Sequence, residues 1–544
     1  MLRLPSRAAA RSRRALTTFL ALAGAAACSR AADHRAPTRL VLDLGVEPSS
    51  LVPAISRDNA GRVVIDQVYE QLALVGDSLV TVGDRGFRPV LARAWEWSPD
   101  STRLTFHLSP TARWHDGHPF GAEDVRATLA FLKAPATGSP EAETLATVDS
   151  VHVDGPLQAT VFFNRVSPEQ FCNVVTQNFM HAHVLATLPG GREARARALA
   201  TLPHVGTGPF RFVRWTRGEV IELAADSADG APRAGVDRVF ARFLGSPTQG
   251  AAALEAGTVD VVGALTPEHA RRLAGDPRVR IVQPPALARA FLAFNTARAP
   301  FDDAALRRAL SHAVDRRALA TNALGPDATI PEGPAPRMVA WHDPSARAPE
   351  FAPARAAALL DSLGWRRDGA SGSRRRDGRP LAFRIGCPAS SSIRCRYAVM
   401  LQAGFRELGV DVAVDELPPS VFSARLDDGA FDALLYAARI SDGPFHLRAE
   451  WTTATPATRA FNVTRYHSPA VDSLVARAEA TRDPARVVDL SRAITRVVIA
   501  DSPAIWLYDA VPNIGLHRRV HPVAVRQDEW WRQLAAWTVD RDPS

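Results

Sequence analysis

The stretch from Leu381 to Val414 constrains the fold most. Leu381, Phe383 and Ile385 stand at alternate positions, residues 396–408 carry a helical pattern, and Val410, Val412 and Val414 alternate again. Strand, helix and strand in so short a span form the unit of an α/β domain with parallel pairing. The same mixture recurs along the chain. Strand patterns are predicted at 39–44, 103–108, 151–153, 159–163, 210–215, 220–223, 259–262, 290–295 and 431–436. Helices are predicted at 61–72, from 122, at 251–256, after Asp302-Asp303, and at 353–363, 469–480 and 484–500. There is no short-period repeat. At 544 residues the chain is too long for one core, so two or three domains are expected.

The net charge is +8, which by itself would suggest a nucleic-acid partner. Its distribution argues against one. Arg3, Arg7, Arg11, Arg13 and Arg14 stand in an acid-free N-terminal segment and supply five of those eight charges. The remaining arginines are mixed with Asp and Glu and form no stripe.

The N-terminus has the three parts of an export signal: a basic stretch to Arg14, an apolar stretch from Ala15 to Ala23, and Gly24-Ala25-Ala26-Ala27-Cys28. The apolar part is too short to span a bilayer. Small residues before a cysteine resemble the bacterial lipoprotein processing site, which implies a lipid on Cys28. Ala25 stands where Leu is usual, and cleavage after an Ala-x-Ala triplet is the alternative. Residues 29–37 read as a tether.

Three further cysteines follow. Cys387 and Cys395, eight apart, could close a short disulfide loop outside the inner membrane, or be two unrelated thiols. Cys172 beside Phe171 reads as a small core residue. No CxxC pair exists, which argues against structural zinc.

Five segments carry a family likeness. They are Val46-Glu47-Pro48-Ser49-Ser50-Leu51-Val52-Pro53, the run from Trp114-His115-Asp116-Gly117 to Val125, Val205-Gly206-Thr207-Gly208-Pro209-Phe210, Phe294-Asn295-Thr296 through Leu310, and Asn462 through Tyr466 to Asp472. In this order they resemble family 5 of the solute-binding proteins of ABC transporters, the dipeptide, oligopeptide and nickel group. Two departures stand out: Val52 replaces an acid, and Asp226-Ser227-Ala228-Asp229 replaces an aromatic element.

The resemblance implies an α/β fold of the type II periplasmic-binding-protein kind, two lobes around a cleft with an extra domain inserted in the N-terminal lobe. Applied here, domain I would hold 38–70, 204–290 and the return at 505–544, the extra domain 71–203, and the second lobe 291–504, after a signal at 1–28. It also implies a periplasmic or extracytoplasmic location, no cofactor, no enzymatic activity, and separate permease and ATPase partners. Solute entering the open cleft would favour closure by differential binding. An acid of the family pairs with a peptide's amino terminus, and the matching position is Asp442, which could instead start a turn with Gly443. Arg394, with Arg396 beside it, falls near the loop that meets the ligand carboxylate. Tyr436, Asn295 and Ser49 are further cleft candidates.

Two rivals remain on the sequence. A nickel or metal-chelate binder of the same family could use His115, His118, His181 and His183, but neither spacing is specific and solvated or core histidines explain them better. No metal ligand set is assigned on this basis. A hydrolase would need a GxSxG elbow, an HExxH helix or a paired Cys/His motif, and none is present.

Overall fold

The structure, a computed structural model, describes residues 37–541 except 57, 229–233, 286, 370–371, 440–444, 456–460 and 527. Cys28 and Asp442 lie outside the described residues. Three principal sheets organise the rest.

The first sheet has seven strands in the order Val279–Val282, Asn513–His517, Val261–Leu265, Arg39–Asp43, Arg238–Arg242, Val220–Ala225 and Phe210–Thr216. Arg39–Asp43 pairs in parallel with Arg238–Arg242 and Val261–Leu265. Its alternation turns Leu40 and Leu42 into a core with Phe210, Leu223 and Trp537.

The second sheet has five strands in the order Asp411–Leu417, Ala382–Pro388, Ala433–Arg439, Ala288–Phe294 and Ala504–Asp509. Ala382–Pro388 is parallel to Asp411–Leu417, as the strand-helix-strand pattern predicts, and also to Ala433–Arg439. Leu292 and Phe294 face one core with Phe383 and Phe405. Phe291 and Trp506 face another, which continues into the third sheet at Leu104, Phe106 and Val161.

That third sheet is antiparallel, in the order Ala92–Trp97, Arg103–Leu108, Gln158–Phe163 and Val148–Gly155. The alternation of Arg103–Leu108 is realised as expected, with Leu104, Phe106 and Leu108 fully buried. Cys172 is half-buried against this core.

The chain passes from the first sheet to the second between Val282 and Ala288 and returns between Asp509 and Asn513. The two passages are tied side by side. Ala510 N donates to Ala288 O at 2.8 Å, and Gln283 Nε2 donates to Asn513 Oδ1 at 2.5 Å.

One predicted helix is shorter than its pattern. It spans Asn59–Val68 rather than reaching Leu72, because Tyr69 is extended. Gly208 N, from the distant loop before strand Phe210–Thr216, donates to the carbonyl of Val68 at 2.9 Å and caps the helix where the apolar stripe would have continued.

Candidate ligand-binding cleft

A cavity of about 500 Å³ opens beside the two passages. It lies at the carboxyl ends of Arg39–Asp43 and Val261–Leu265, where ligands of open α/β sheets bind. Asp43, Asn59, Gly263 and Trp530 line it from the first lobe, and Leu287 and Ala510 from the passages. The Trp530 ring lies so close to Gly263 that a Cβ there would meet it at 2.9 Å. Asp43 is held by the amides of Gly45 at 2.8 Å and Leu244 at 3.3 Å, and burial raises its carboxyl above the usual range. The sequence reading missed this lining, because residues 43, 263 and 530 meet only in the folded sheet.

On the second lobe, register decides which strand ends face the passages. Ala288 pairs with Arg439, and Arg289 with Asp509, so the start of one strand and the ends of two others share that side. The parallel strand Ala382–Pro388 ends on the same side, and helix Ser392–Glu407 starts there. A disulfide joins Cys387 to Cys395, with the Cα atoms 5.2 Å apart, and so fixes the first helical turn on the strand end.

Arg394 stands in that first turn. Its guanidinium lies over the Phe422 ring, 6.0 Å from the centroid, and beside the hydroxyls of Tyr508 and Tyr436. Among the described residues no carboxylate pairs with it. Loss of hydration therefore lowers its pKa, offset only in part by the two tyrosines. The tyrosines respond in kind: burial raises both, Tyr508 to about 12. A desolvated cation at a helix N-terminus is an arrangement suited to an anionic group.

The other sequence candidates fall elsewhere. Asn295 is buried at the opposite end of its strand, and its amide donates to Gly429 O at 2.9 Å and Phe431 O at 3.0 Å. It braces a loop and does not face the passages. Ser49 is engaged by Asp58: its Oγ and N both donate to Asp58 Oδ2, at 2.5 and 3.0 Å, while Asp58 caps helix Asn59–Val68 through Gly61 N. Trp114 donates to Asp124 at 3.1 Å and is buried in the core of the third sheet, in keeping with a structural role. Arg396 is exposed, 3.8 Å from Glu268.

Residues 86–452 match the family described as bacterial extracellular solute-binding proteins, family 5 middle. The chain is a family 5 extracellular solute-binding protein. This family 5 protein is 24% identical over 487 residues to an Escherichia coli protein named "Probable D,D-dipeptide-binding periplasmic protein DdpA", covering 88% of this chain and 90% of the relative. Its fold superposes on the oligopeptide-binding protein AppA from Bacillus subtilis in complex with a nonapeptide, with a TM-score of 0.76 at 19% identity, over 93% of this chain and 100% of the other. It superposes equally on NikZ from Campylobacter jejuni in complex with Ni(L-His), with a TM-score of 0.78 at 20% identity and the same coverage. The type II binding-protein fold, two lobes around a cleft with an extra domain in the N-terminal lobe, is thereby established. Among the described residues no helix is long and apolar enough to cross a membrane.

Proposed function

We propose that this family 5 protein captures a peptide with a free carboxylate between its lobes and hands it to the permease of an ABC importer. The observation that carries the reading is Arg394: a desolvated guanidinium without a carboxylate partner among the described residues, at a helix N-terminus on the side of the two passages. A ligand carboxylate supplies the charge this position lacks, in a charge-assisted and geometrically specific pair. Peptide ligands in the names of its relatives support the choice of solute.

Asp442 is proposed to take the ligand's ammonium. It follows strand Ala433–Arg439, whose end pairs with Ala288 at the passage. The two passages, near 283–287 and 510–512, are proposed as the hinge, with the extra domain near 71–203 moving with the first lobe. Catalysis has no part in this reading; the work done is binding and closure. Export by the N-terminal signal and lipid attachment at Cys28 would hold the protein on the outer side of the membrane, within reach of the permease.

The test is calorimetry of the purified protein with dipeptides and longer peptides, each also as N-acetyl and C-amide forms, and with Ni²⁺ alone or with histidine. Tight binding of free peptides, weakened by either block, is expected. Binding of nickel–histidine but no peptide would overturn the peptide reading. For the anchor, Cys28→Ala should move the protein from the membrane to the soluble fraction; an unchanged distribution would refute it.

A further inference from the structure

The tight turn after Arg103–Leu108 does more than connect strands. Trp114 N donates to His118 O at 2.8 Å, Gly117 N to Trp114 O at 2.8 Å, and His118 N to Asp116 Oδ1 at 3.1 Å. This folding presents Asp116 and His118 on one side. His181, 63 positions further along the chain, faces them from the N-cap of helix Ala182–Ala186. The sequence offers His118 and His181 as possible ligands only at unspecific spacings, and Asp116 not at all; the fold brings a ligand atom of each within 4.8 Å of the others.

His181 is the member that points to a ligand. Its side chain is 8% exposed, and its ring is stacked on Trp114 at 4.9 Å and 12°. Among the described residues its Nε2 is buried with no hydrogen-bond partner, and faces Asp116 Oδ2 at 3.7 Å, beyond bonding range. A buried imidazole nitrogen left without a partner is costly unless something fills the gap. Across that gap, His118 Nδ1 lies 3.0 Å from Asp116 Oδ1.

We propose that Asp116, His118 and His181 form a binding site for a first-row divalent transition-metal ion, of the zinc and nickel class. Two imidazoles and one carboxylate suit such ions, with water completing the coordination. None of the three residues lines the cavity beside the passages, so this site is separate from the proposed peptide site. Ligand atoms about 2.1 Å from an ion lie at most about 4.2 Å apart, so binding contracts the cluster. His118, with a side chain 64% exposed, is free to move inward. Binding through Nε2 leaves the His181 proton on Nδ1, where Asp124 Oδ1 stands 3.4 Å away to receive it. Asp124 is itself fixed by the amides of Gly121 at 2.9 Å and Ala182 at 2.8 Å. The amide of His183, which now donates to Nδ1 at 3.2 Å, gives up that acceptor in exchange.

The experiment is Zn²⁺ titration by calorimetry of chelator-stripped protein without peptide, with Co²⁺ absorption as a second readout. His118→Ala and Asp116→Asn change exposed groups, and their melting temperatures without metal check that both fold. The wild type is expected to bind one Zn²⁺ at least tenfold more tightly than either variant, and the Co²⁺ ligand-field bands should be lost with His118→Ala. No Zn²⁺ binding by the wild type, or equal affinity in all three proteins, would overturn the assignment.

Discussion

Arg289 and Glu450 form an ion pair inside the second lobe, with side chains 2% and 8% exposed. Arg289 stands beside the first passage, and Glu450 on the helix Phe445–Trp451. The guanidinium is packed 5.5 Å from the centroid of Trp506, and among the described residues its Nε and Nη1 have no hydrogen-bond partner. The pair therefore holds that helix to the strand beside the first passage, with part of the cation unsatisfied among the described residues.

Breaking such a pair strands a charge. Glu450→Ala is expected to cost about 3–5 kcal/mol, because the remaining guanidinium is buried alone. The double variant Arg289→Met/Glu450→Leu removes both charges and should recover most of that loss. Calorimetric melting checks the order: a double variant less stable than Glu450→Ala would contradict it.

Arg394 leads to the opposite expectation for stability. It has no ion pair to lose among the described residues, and its charge is held out of water. Arg394→Ala should leave the melting temperature of the free protein unchanged or raised. It should weaken binding of a free-carboxylate peptide by at least about tenfold, or about 1.4 kcal/mol. The C-amide of the same peptide should bind wild type and variant alike, as measured by calorimetry.

A pH dependence follows from Glu70, which stands after helix Asn59–Val68 and whose carbonyl accepts from Phe179 N at 3.0 Å. Loss of hydration raises its carboxyl to about 7 from an unfolded value near 4.5. An acid raised on folding contributes stability that is fully present below the unfolded pKa and is lost as pH rises through the folded one. Wild type should thus lose stability relative to Glu70→Gln between about pH 5 and about pH 8. Melting temperatures of the two proteins across that range test this; a constant difference would count against it.

Local pattern made much of this fold legible. Arg103–Leu108 and the parallel unit around Ala382–Pro388 read correctly because one face of each is apolar and side chains alternate along a strand. The site was harder to read. Asn295 follows one strand of a sheet and Tyr436 sits on its neighbour, and nothing local says which strand end faces the passages; only the antiparallel register does. Arg289 gives no local sign of its pairing, because a charged residue at a strand start reads as exposed and its partner lies 161 positions away. The gap between Asp116 and His181 was likewise invisible, since a turn and a helix cap meet there only through tertiary packing.

The glycines of Gly206-Thr207-Gly208 provide the last prediction. A Cβ on Gly206 would lie 1.8 Å from the carbonyl oxygen of Val68 and 2.6 Å from its carbon, both backbone atoms that cannot rotate away. Relief requires the loop to move, which would break the bonds from Gly208 N to Val68 O and from His115 N to Gly206 O, at 2.9 and 2.8 Å. Those bonds join the first lobe to the turn that carries His115. Gly206→Ala is therefore expected to destabilise by about 1–3 kcal/mol or more, the range of overpacked positions. Gly190→Ala, where an added Cβ meets nothing within 4 Å, should be nearly neutral. Parallel thermal melts decide it: equal behaviour of the two variants would mean that the close approach at Gly206 does not hold the lobe and the extra domain together.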